Sequence, residues 1–188
     1  MPDHRLKPLT PLGHADPHTE TIGPMTITEV TTTALASLAT RLGRDADVAQ
    51  IADAAGIPLP QPGRHQQAKL FAAFWLGPQQ WMIEAPFATH EDIAAHLAPL
   101  FGAAASVTEQ TDGWVRLDVT APDLPAMFER LCAFDLRAAV PGAATRTVID
   151  HLGCYVIVRA TNTMTVLGPR SSARSLHHAL MTAARSVF

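Results

Sequence analysis

The sequence predicts an α+β fold, in which two related β-α-β-β-α halves pack into one two-layer domain with a mostly antiparallel sheet. Two observations carry this prediction: segments of the second half resemble segments of the first, and each half contains two apolar runs joined by a short turn. Each half is too small to bury its own apolar face, so the two are expected to share one core. We therefore divide the 188 residues into an extended N-terminal arm, 1–24, and a single duplicated domain, 25–188.

The internal repeat rests on two alignments. Residues 27–42 match 116–131 at a constant offset (118 − 29 = 89), and residues 81–86 match 164–169 at a smaller one (169 − 86 = 83). Because the offset becomes smaller further along the chain, we expect the first half to carry extra connecting residues, within 43–63.

The first half is expected to open with a strand and a helix. Weak alternation of apolar residues over 25–31 predicts the strand. The spacing of Leu35, Leu38 and Leu42 is helical, and Gly43 is the type of residue at which such a helix ends. Since the repeat aligns this stretch with a second helical pattern, the same pair of elements is expected in both halves.

A weaker helix over 47–55, an extended connection and a hairpin are expected next. Three prolines within 56–63 predict the connection, because proline fixes φ and removes a backbone donor. The apolar runs 70–76 and 81–84 flank a Gly-Pro-Gln-Gln turn at 77–80. Two such runs around a short turn predict a β-hairpin.

Two capping-box patterns predict further helices. The pattern at 89–92 marks the start of a helix whose buried stripe is Ile93, Leu97 and Leu100, and the pattern at 120–123 opens a helix expected to reach about Cys132. Between them, alternating apolar residues predict a strand over 114–119.

The second half is expected to end as the first does, with a hairpin and a helix. Residues 147–159 and 163–167 are the two strands, with the turn at 160–163. Ser171 or Ser172 is expected to cap the final helix.

Charged residues are scarce in this chain. Asp, Glu, Lys and Arg make up 16% of it, against roughly 25% in an average soluble domain, and 47% of the residues are apolar. One interpretation is that much of the surface is buried against a partner. The other is an alanine-rich composition without functional meaning, and composition leaves both open.

Charge and cysteine content argue against several functional classes. A net charge of −3 and scattered arginines do not provide the clustered positive charge that nucleic-acid binding needs. Cys132 and Cys154 show no CxxC or zinc-site spacing, which favours buried thiols in a reducing compartment. Neither a leader-like N-terminus nor a membrane-spanning apolar stretch is indicated, so we expect no membrane partner.

Several segments resemble one known protein family. The first hairpin, 75–83, together with the tandem βαββα pattern, looks like the folate-binding fold of the glycine-cleavage aminomethyltransferases. More narrowly, residues 130–136 (RLCAFDL), 145–151 (TRTVIDH) and 167–172 (LGPRSS) resemble the gamma subunits of heterotetrameric sarcosine oxidases. The resemblance covers roughly 25–188 and implies an aminomethyltransferase N-terminal-like fold.

This resemblance implies a structural role in an enzyme complex. Such oxidases are cytoplasmic assemblies of alpha, beta, gamma and delta subunits that oxidatively demethylate sarcosine to glycine. The FAD, FMN, NAD and tetrahydrofolate sites belong to the alpha and beta subunits, and zinc belongs to delta. A gamma-like chain is therefore expected to have no catalytic residue, cofactor or metal of its own, and to have the other subunits as partners. The sequence agrees in showing no phosphate-binding GxGxxG or GxxxxGK[ST] motif.

Four residues are candidates for contacts with those partners. Trp75, Trp81 and Trp114 are the tryptophans of the chain, and tryptophan is enriched in protein interfaces. Arg170 precedes the predicted cap of the last helix, where a guanidinium could hold an anion. An ordinary solvated arginine is the favoured interpretation of Arg170.

Two clusters suggest metal or catalytic chemistry, and a structural interpretation is favoured for both. His14, Asp16 and His18 lie close together, but on an arm where no further ligand is placed, so a solvated tail is expected. His151 and Cys154 suggest a base and a nucleophile. On one strand, however, they would face opposite sides of the sheet.

A second function remains open, that of a stand-alone folate-binding or one-carbon-transfer protein of the aminomethyltransferase type. It would need a pterin pocket between the halves and an acidic residue to hold the pterin ring. Glu29, Asp118 and Asp150 are the candidates expected on strands. In the aminomethyltransferases a barrel domain follows this fold, and a sequence that stops at Phe188 favours the subunit interpretation.

Overall fold

The structure is a computed structural model that describes residues 7–188. Residues 1–6, the beginning of the predicted arm, lie outside the described residues. Two strands precede the first half, which then runs strand, helix, three strands, helix and strand. In chain order these elements are β1 (Thr19–Ile22), β2 (Met25–Val30), β3 (Thr33–Thr40), α1 (Asp45–Ala55), β4 (His65–Gln67), β5 (Ala72–Gly77), β6 (Gln80–Pro86), α2 (Ile93–Phe101) and β7 (Ala105–Glu109).

The second half repeats this order without the closing strand. Its elements are β8 (Trp114–Thr120), α3 (Leu124–Phe128), β9 (Ala144–Ile149), β10 (Leu152–Ala160), β11 (Thr163–Pro169) and α4 (Ala173–Arg185). Short 3₁₀ turns precede β8 and α4. The structure thus confirms an α+β fold with antiparallel sheets. Each half carries a strand that is not predicted, β4 or β9, and the first half also closes with the unpredicted β7.

Two antiparallel sheets contain the described strands. The six-stranded sheet has the order β1-β2-β8-β11-β10-β9, and the five-stranded sheet has the order β4-β5-β6-β3-β7. The run β4-β5-β6-β3 therefore corresponds to β9-β10-β11-β8. On the other side of β3, the five-stranded sheet continues with β7, which follows α2 in the chain. On the other side of β8, the six-stranded sheet continues with β2. Strands from the beginning of the chain thus complete the sheet of the second half.

The inner faces of the two sheets pack against each other. Phe74 and Met82 from the five-stranded sheet meet Tyr155, Ile157 and Leu167 from the six-stranded sheet. On the outer faces, α1 and α2 cover the five-stranded sheet, and α3 and α4 cover the six-stranded one. Each half is one helix layer on one sheet layer, so the molecule has four layers, α–β–β–α, rather than the predicted two.

The pairing register fixes how the halves correspond. Pro86 at the end of β6 pairs with Thr33, and Pro169 at the end of β11 pairs with Trp114. The hairpins correspond at the predicted offset (169 − 86 = 83), but the first strands correspond at a different one (114 − 33 = 81). The predicted offset of 89 is therefore wrong. The extra connecting residues lie in the second half, since the offset grows along the chain.

The helix predicted on Leu35, Leu38 and Leu42 is also wrong, because residues 33–40 form β3. The helices cover one face of β3 and the other sheet covers the opposite face, so both of its faces are buried. Leu35 packs between the sheets, and Leu38 packs under the helices. Leu42 lies beyond the strand and is fully exposed. The weaker helix expected over 47–55 is confirmed as α1.

The stretch predicted as one strand, 147–159, is two strands. Asp150 and His151 have positive φ angles of 47° and 68°, and they form the two-residue turn between β9 and β10. Two consecutive left-handed residues are typical of a type I′ hairpin turn. The interpretation that placed His151 and Cys154 on opposite faces of one strand is therefore wrong, because His151 lies on an exposed turn.

The helices begin later than the capping-box patterns indicate. Asp92, rather than Thr89, caps α2 by accepting a hydrogen bond from the N–H three residues on, at 2.9 Å. Asp123, rather than Thr120, caps α3 in the same way, and α3 is only five residues long. Ser172 precedes α4 without a side-chain capping bond. No helix in the described part of the chain has the length and apolarity needed to cross a membrane.

The described part of the arm is folded onto the domain. Strand β1 pairs with β2, and Leu12 is buried. The buried carboxylate of Glu29 accepts hydrogen bonds from the N–H groups of Leu12, at 2.8 Å, and His18, at 3.2 Å. Regular structure thus begins before Met25, where the sequence analysis places its start.

Candidate functional site

A network of charged and polar side chains joins the two sheets. Glu84 on β6 is 5% exposed, and Arg159 on β10 donates two hydrogen bonds to its carboxylate, at 2.9 and 3.2 Å. The same guanidinium donates to Nε2 of His65 on β4. These three side chains come from both halves, so the group forms only when the sheets pack together.

The network continues along the six-stranded sheet. Arg159 donates through Nε to the hydroxyl of Thr165 at 2.9 Å, and that hydroxyl donates to Asp118 at 2.7 Å. Asp118 accepts two further hydrogen bonds from Arg116, at 3.0 and 2.9 Å. Arg116 also reaches the five-stranded sheet, where it donates to the hydroxyl of Thr33 at 2.9 Å. Each arginine is thus paired with a carboxylate inside the protein.

The surroundings of Glu84 keep its carboxyl group ionised. Burial raises the pKa of this group, but His65, Arg159 and Arg116 together lower it by more, from 4.5 to about 2. A general acid or base needs a pKa near the working pH, which Glu84 does not have at neutral pH. Arg159 on the second half is thus bonded to an ionised carboxylate on the first half.

A cavity of about 720 Å³, which we call the arm cavity, opens beside this network between the N-terminal arm, the β2–β3 connection and the start of β8. Phe87 and Trp114 provide aromatic surface to it, and Arg116 and Arg170 provide positive charge. A smaller cavity of about 210 Å³ shares Arg116 and reaches Glu84. The arm cavity is within the size range of small-molecule sites.

Two of the four candidate interface residues lie at the arm cavity. Trp114 is half-buried, and its indole N–H donates to the side chain of Gln110 at 3.2 Å. Arg170 donates to the carbonyl of Leu9 at 3.0 Å and pairs with the exposed Asp112 at 3.3 Å. Arg170 therefore anchors the arm at the rim of the cavity.

The other two candidates face each other across the β5–β6 hairpin. Trp81 is 9% exposed, and its indole N–H donates to the carbonyl of Pro60 at 2.9 Å. Trp75 is half-buried against the same core and keeps part of its ring at the surface. Trp81 thus presents little surface to a partner, whereas Trp75 presents more.

The three acidic residues considered for a pterin ring do not converge. Glu29 accepts hydrogen bonds from the backbone of the arm, and Asp118 is paired with Arg116. Asp150 lies on the exposed turn between β9 and β10 rather than on a strand. None of the three belongs to the wall of the arm cavity. The fold therefore does not bring these acids together at that cavity.

Cys154 lies in the core rather than beside a base. Its side chain is fully buried, and burial raises the pKa of its thiol to about 11. A cysteine nucleophile reacts as the thiolate, and this thiol is protonated at neutral pH. His151, on the exposed turn, is not packed against it. Cys154 thus acts as a packing residue between β10 and α4.

A histidine cluster forms where a solvated tail was expected. The rings of His14 and His18 stack with their centroids 4.8 Å apart. Glu20 on β1 and His177 on α4 join His18, and the potential ligand atoms of these three residues lie within 4.8 Å of one another. Asp16 is exposed and takes no part in this group of three. Sequence reasoning missed His177 because it stands far along the chain (177 − 18 = 159).

Comparison with known proteins relates the chain to solved structures. At the level of sequence, no family model and no curated protein matches it. A chain of the heterotetrameric sarcosine oxidase from Corynebacterium sp. U-96, in complex with pyrrole 2-carboxylate, matches with a TM-score of 0.77 at 22% identity, covering 89% of this chain and 88% of that chain. The glycine cleavage system aminomethyltransferase T from Bartonella henselae matches with a TM-score of 0.60 at 16% identity, covering 84% of this chain and 48% of that one.

These likenesses establish the fold. The chain has two antiparallel sheets arranged as in the sarcosine oxidase chain and in aminomethyltransferase T. It spans about half the length of the aminomethyltransferase but most of the length of the sarcosine oxidase chain. The sarcosine oxidase chain is therefore close to this one in size as well as in fold.

Proposed function

We propose that this chain is a non-catalytic, gamma-type structural subunit of a heterotetrameric sarcosine oxidase, which oxidatively demethylates sarcosine to glycine. The observation that carries the proposal is the agreement in fold over 89% of this chain and 88% of the sarcosine oxidase chain. Little of either chain is left unmatched. Because the matched chain is part of an assembly, we infer alpha, beta and delta subunits as the partners of this one.

The interior of the chain supports a structural role. The buried carboxylates of Glu84 and Glu29 are held by arginine and backbone donors, and burial keeps the Cys154 thiol protonated. None of these groups combines exposure with a neighbouring base, as a catalytic residue does. The resemblance to the sarcosine oxidase gamma subunits implies that the oxidase's FAD, FMN, NAD, tetrahydrofolate and zinc belong to the partner subunits. This chain would stabilise those subunits in the cytoplasm.

The rim of the arm cavity is the surface that we propose for contacts with partner subunits. Leu9 is 55% exposed there, although it is a large apolar residue, and Trp114 and Arg170 lie beside it. Apolar, tryptophan and arginine side chains at one place are typical of the centre of an interface. Trp75 is a further candidate on the other half of the molecule.

The experiment that tests the proposal is co-purification. The chain would be given an affinity tag in the cells that naturally contain it, grown on sarcosine, and the accompanying proteins would be identified. We expect stoichiometric amounts of yellow, flavin-containing large chains, together with peroxide production that depends on sarcosine. A colourless chain recovered without partners would overturn the proposal.

A pair of variants tests the proposed contact at the arm cavity. Arg170→Ala removes the guanidinium from the rim, and we expect it to reduce the recovery of partner chains severalfold. Arg137→Ala is the matched control, because Arg137 is exposed and pairs with Glu129 outside the arm cavity. Equal recovery of partner chains with both variants would show that Arg170 is not part of the interface.

The arm cavity also favours a second candidate function, that of a stand-alone folate-binding or one-carbon-transfer protein. A cavity of about 720 Å³ with two aromatic rings in its wall has the size for an aromatic ligand such as folate. The test is quenching of tryptophan fluorescence by tetrahydrofolate. Saturable one-to-one binding that Arg170→Ala abolishes would support this function, and absence of quenching would exclude it.

A further inference from the structure

The N-terminal strand and the C-terminal helix meet at three potential metal ligands. Oε2 of Glu20 lies 3.6 Å from Nε2 of His18 and 3.6 Å from Nε2 of His177. The His177 side chain is 16% exposed, and its Nε2 is buried without a hydrogen-bond partner among residues 7–188. A buried polar atom without a partner is uncommon in folded proteins, and a bound ion is one way in which such an atom is satisfied.

We propose that His18, Glu20 and His177 form a binding site for a divalent transition metal of the zinc type. Imidazole and carboxylate groups are ligands that Zn²⁺ takes, and three protein ligands with one open position are a known arrangement. In a tetrahedral site with bonds of about 2.0–2.1 Å, neighbouring ligand atoms lie roughly 3.3 Å apart. The two distances to Glu20 are close to that value, and all three ligand atoms lie within 4.8 Å of one another, so side-chain rotations would close the site.

The surroundings of these three ligands are compatible with a bound cation. His14 stacks on His18 and so helps to hold that ring in place, and a water molecule would fill the fourth position. Arg185 lies 3.8 Å from Glu20, but it contacts Oε1 and leaves Oε2 to the two imidazoles. The carboxylate therefore supplies one oxygen to the proposed site while the other oxygen remains paired.

Such a metal would connect two distant parts of the chain. The two histidines stand 159 residues apart in sequence (177 − 18 = 159), so the ligand set exists only in the folded protein. A ligand that binds only the folded state stabilises it. The metal would therefore fasten β1 to α4, in addition to the hydrogen bonds by which Glu29 holds the arm.

Without a metal, the same geometry is a carboxylate oxygen placed 3.6 Å from each of two imidazole nitrogens. A metal site and a metal-free cluster differ in the amount of cation that they bind and in the absorption spectrum of added Co²⁺. Only a metal site takes up one equivalent of cation, and only a tetrahedral site gives Co²⁺ an intense visible absorption. Co²⁺ is therefore the probe, and Zn²⁺ is its competitor.

The experiment uses the full-length chain without a polyhistidine tag, freed of metal by a chelator. We expect one equivalent of Co²⁺ to produce a tetrahedral spectrum, Zn²⁺ to displace it, and Zn²⁺ to raise the Tm. His177→Gln should weaken Co²⁺ binding by at least about tenfold. His178→Gln is the matched control, because it changes the neighbouring, exposed histidine and should leave binding unchanged.

Equal Co²⁺ binding by the unmodified chain and His177→Gln would overturn the proposal, and so would the absence of a one-equivalent tetrahedral complex. Glu20→Gln is a second variant in case the helix substitution disturbs folding, because Glu20 lies on the edge strand β1. Its circular dichroism should match that of the unmodified chain, while its Co²⁺ spectrum is lost. If the same variants are compared within a purified assembly, any zinc bound to other chains is the same in every variant and does not affect the comparison. The site does not depend on the proposed function, so either can fail alone.

Discussion

At the scale of single residues, Glu84 and Arg159 form an ion pair that joins the two sheets. Glu84→Gln keeps the size of the side chain but removes the charge opposite Arg159, whose side chain is 17% exposed. Removing one partner of a buried ion pair costs about 3–5 kcal/mol. We therefore expect the free energy of unfolding in urea at neutral pH to fall by about 3 kcal/mol.

The control for this substitution is Glu129→Gln. Glu129 pairs with Arg137 at the surface, where the two side chains are 48% and 62% exposed. Exposed ion pairs contribute between about 0 and 1 kcal/mol, so this variant should unfold almost as the unmodified chain does. Similar losses of stability in the two variants would contradict the assigned role of Glu84.

The carboxyl group of Glu84 also predicts how stability depends on pH. Its pKa falls from 4.5 to about 2 in the folded protein, which corresponds to about 3 kcal/mol. A lowered pKa stabilises the fold above the unfolded value, and this contribution is lost as the pH falls toward 2. The difference in unfolding free energy between the unmodified chain and Glu84→Gln should therefore shrink below about pH 4.5. A constant difference down to about pH 3 would show that the charge is not its source.

Gly168 on β11 is required by a close approach to α4. A Cβ atom at this position would lie 2.4 Å from Cδ2 of Leu176 and 3.4 Å from Sγ of Cys154. Because overpacking a core costs about 1–3 kcal/mol, Gly168→Ala should lower the Tm. Gly77→Ala is the control, since a Cβ atom there would have no neighbour within 4 Å. Equal Tm values for the two variants would mean that the Leu176 side chain moves aside without a loss of stability.

Only part of this side-chain arrangement can be predicted from the sequence. Trp114 and Arg170 lie at one cavity, but their contact with partner subunits stays a prediction. The pair of Glu84 and Arg159 cannot be predicted, because its partners stand 75 residues apart and no motif or period marks either of them. The same is true of His177. Tertiary packing alone brings these groups together.

At the scale of the secondary-structure elements, the start of α2 depends on Asp92. Its carboxylate accepts a hydrogen bond from the N–H of Ala95, and Asp92→Ala removes that cap. Loss of an N-cap typically costs about 1 kcal/mol, which should appear as a lower midpoint in urea unfolding. Ser172→Ala should have no such effect, because Ser172 makes no capping bond. A loss in the serine variant equal to that in the aspartate variant would contradict the assignment.

The strands show why the fold class is easier to predict than the elements. The hairpins are recognisable because a turn interrupts two apolar runs. β3 cannot be recognised in this way. Leu35 and Leu38 are buried on opposite faces of the strand, and their spacing of three residues is also the spacing of a helix face. The better signal is the alternation of buried residues at 34, 36 and 38, which matches the alternation at 115, 117 and 119.

At the scale of the whole molecule, the two halves are expected to depend on each other. Residues 32–110 contain the complete five-stranded sheet. Alone, this fragment would expose Phe74 and Met82 and would leave Glu84 without Arg159. We therefore expect it to show no cooperative thermal transition by circular dichroism, with the full-length chain as the control. Cooperative unfolding of the isolated fragment would contradict this expectation.

The position of β2 in the six-stranded sheet has a consequence for synthesis on the ribosome. One edge of β2 pairs with β1, but the other pairs with β8, where Thr26 meets Thr120. That second edge has no partner until 94 further residues have been made (120 − 26 = 94). At elongation rates of about 5–20 residues per second, that delay is roughly 5–20 s. Meanwhile the nascent strand leaves the exit tunnel with an unpaired edge, and β8 of a second nascent chain offers it the same partner. An intertwined dimer that exchanges β2 is therefore the misassembly to which this topology is prone.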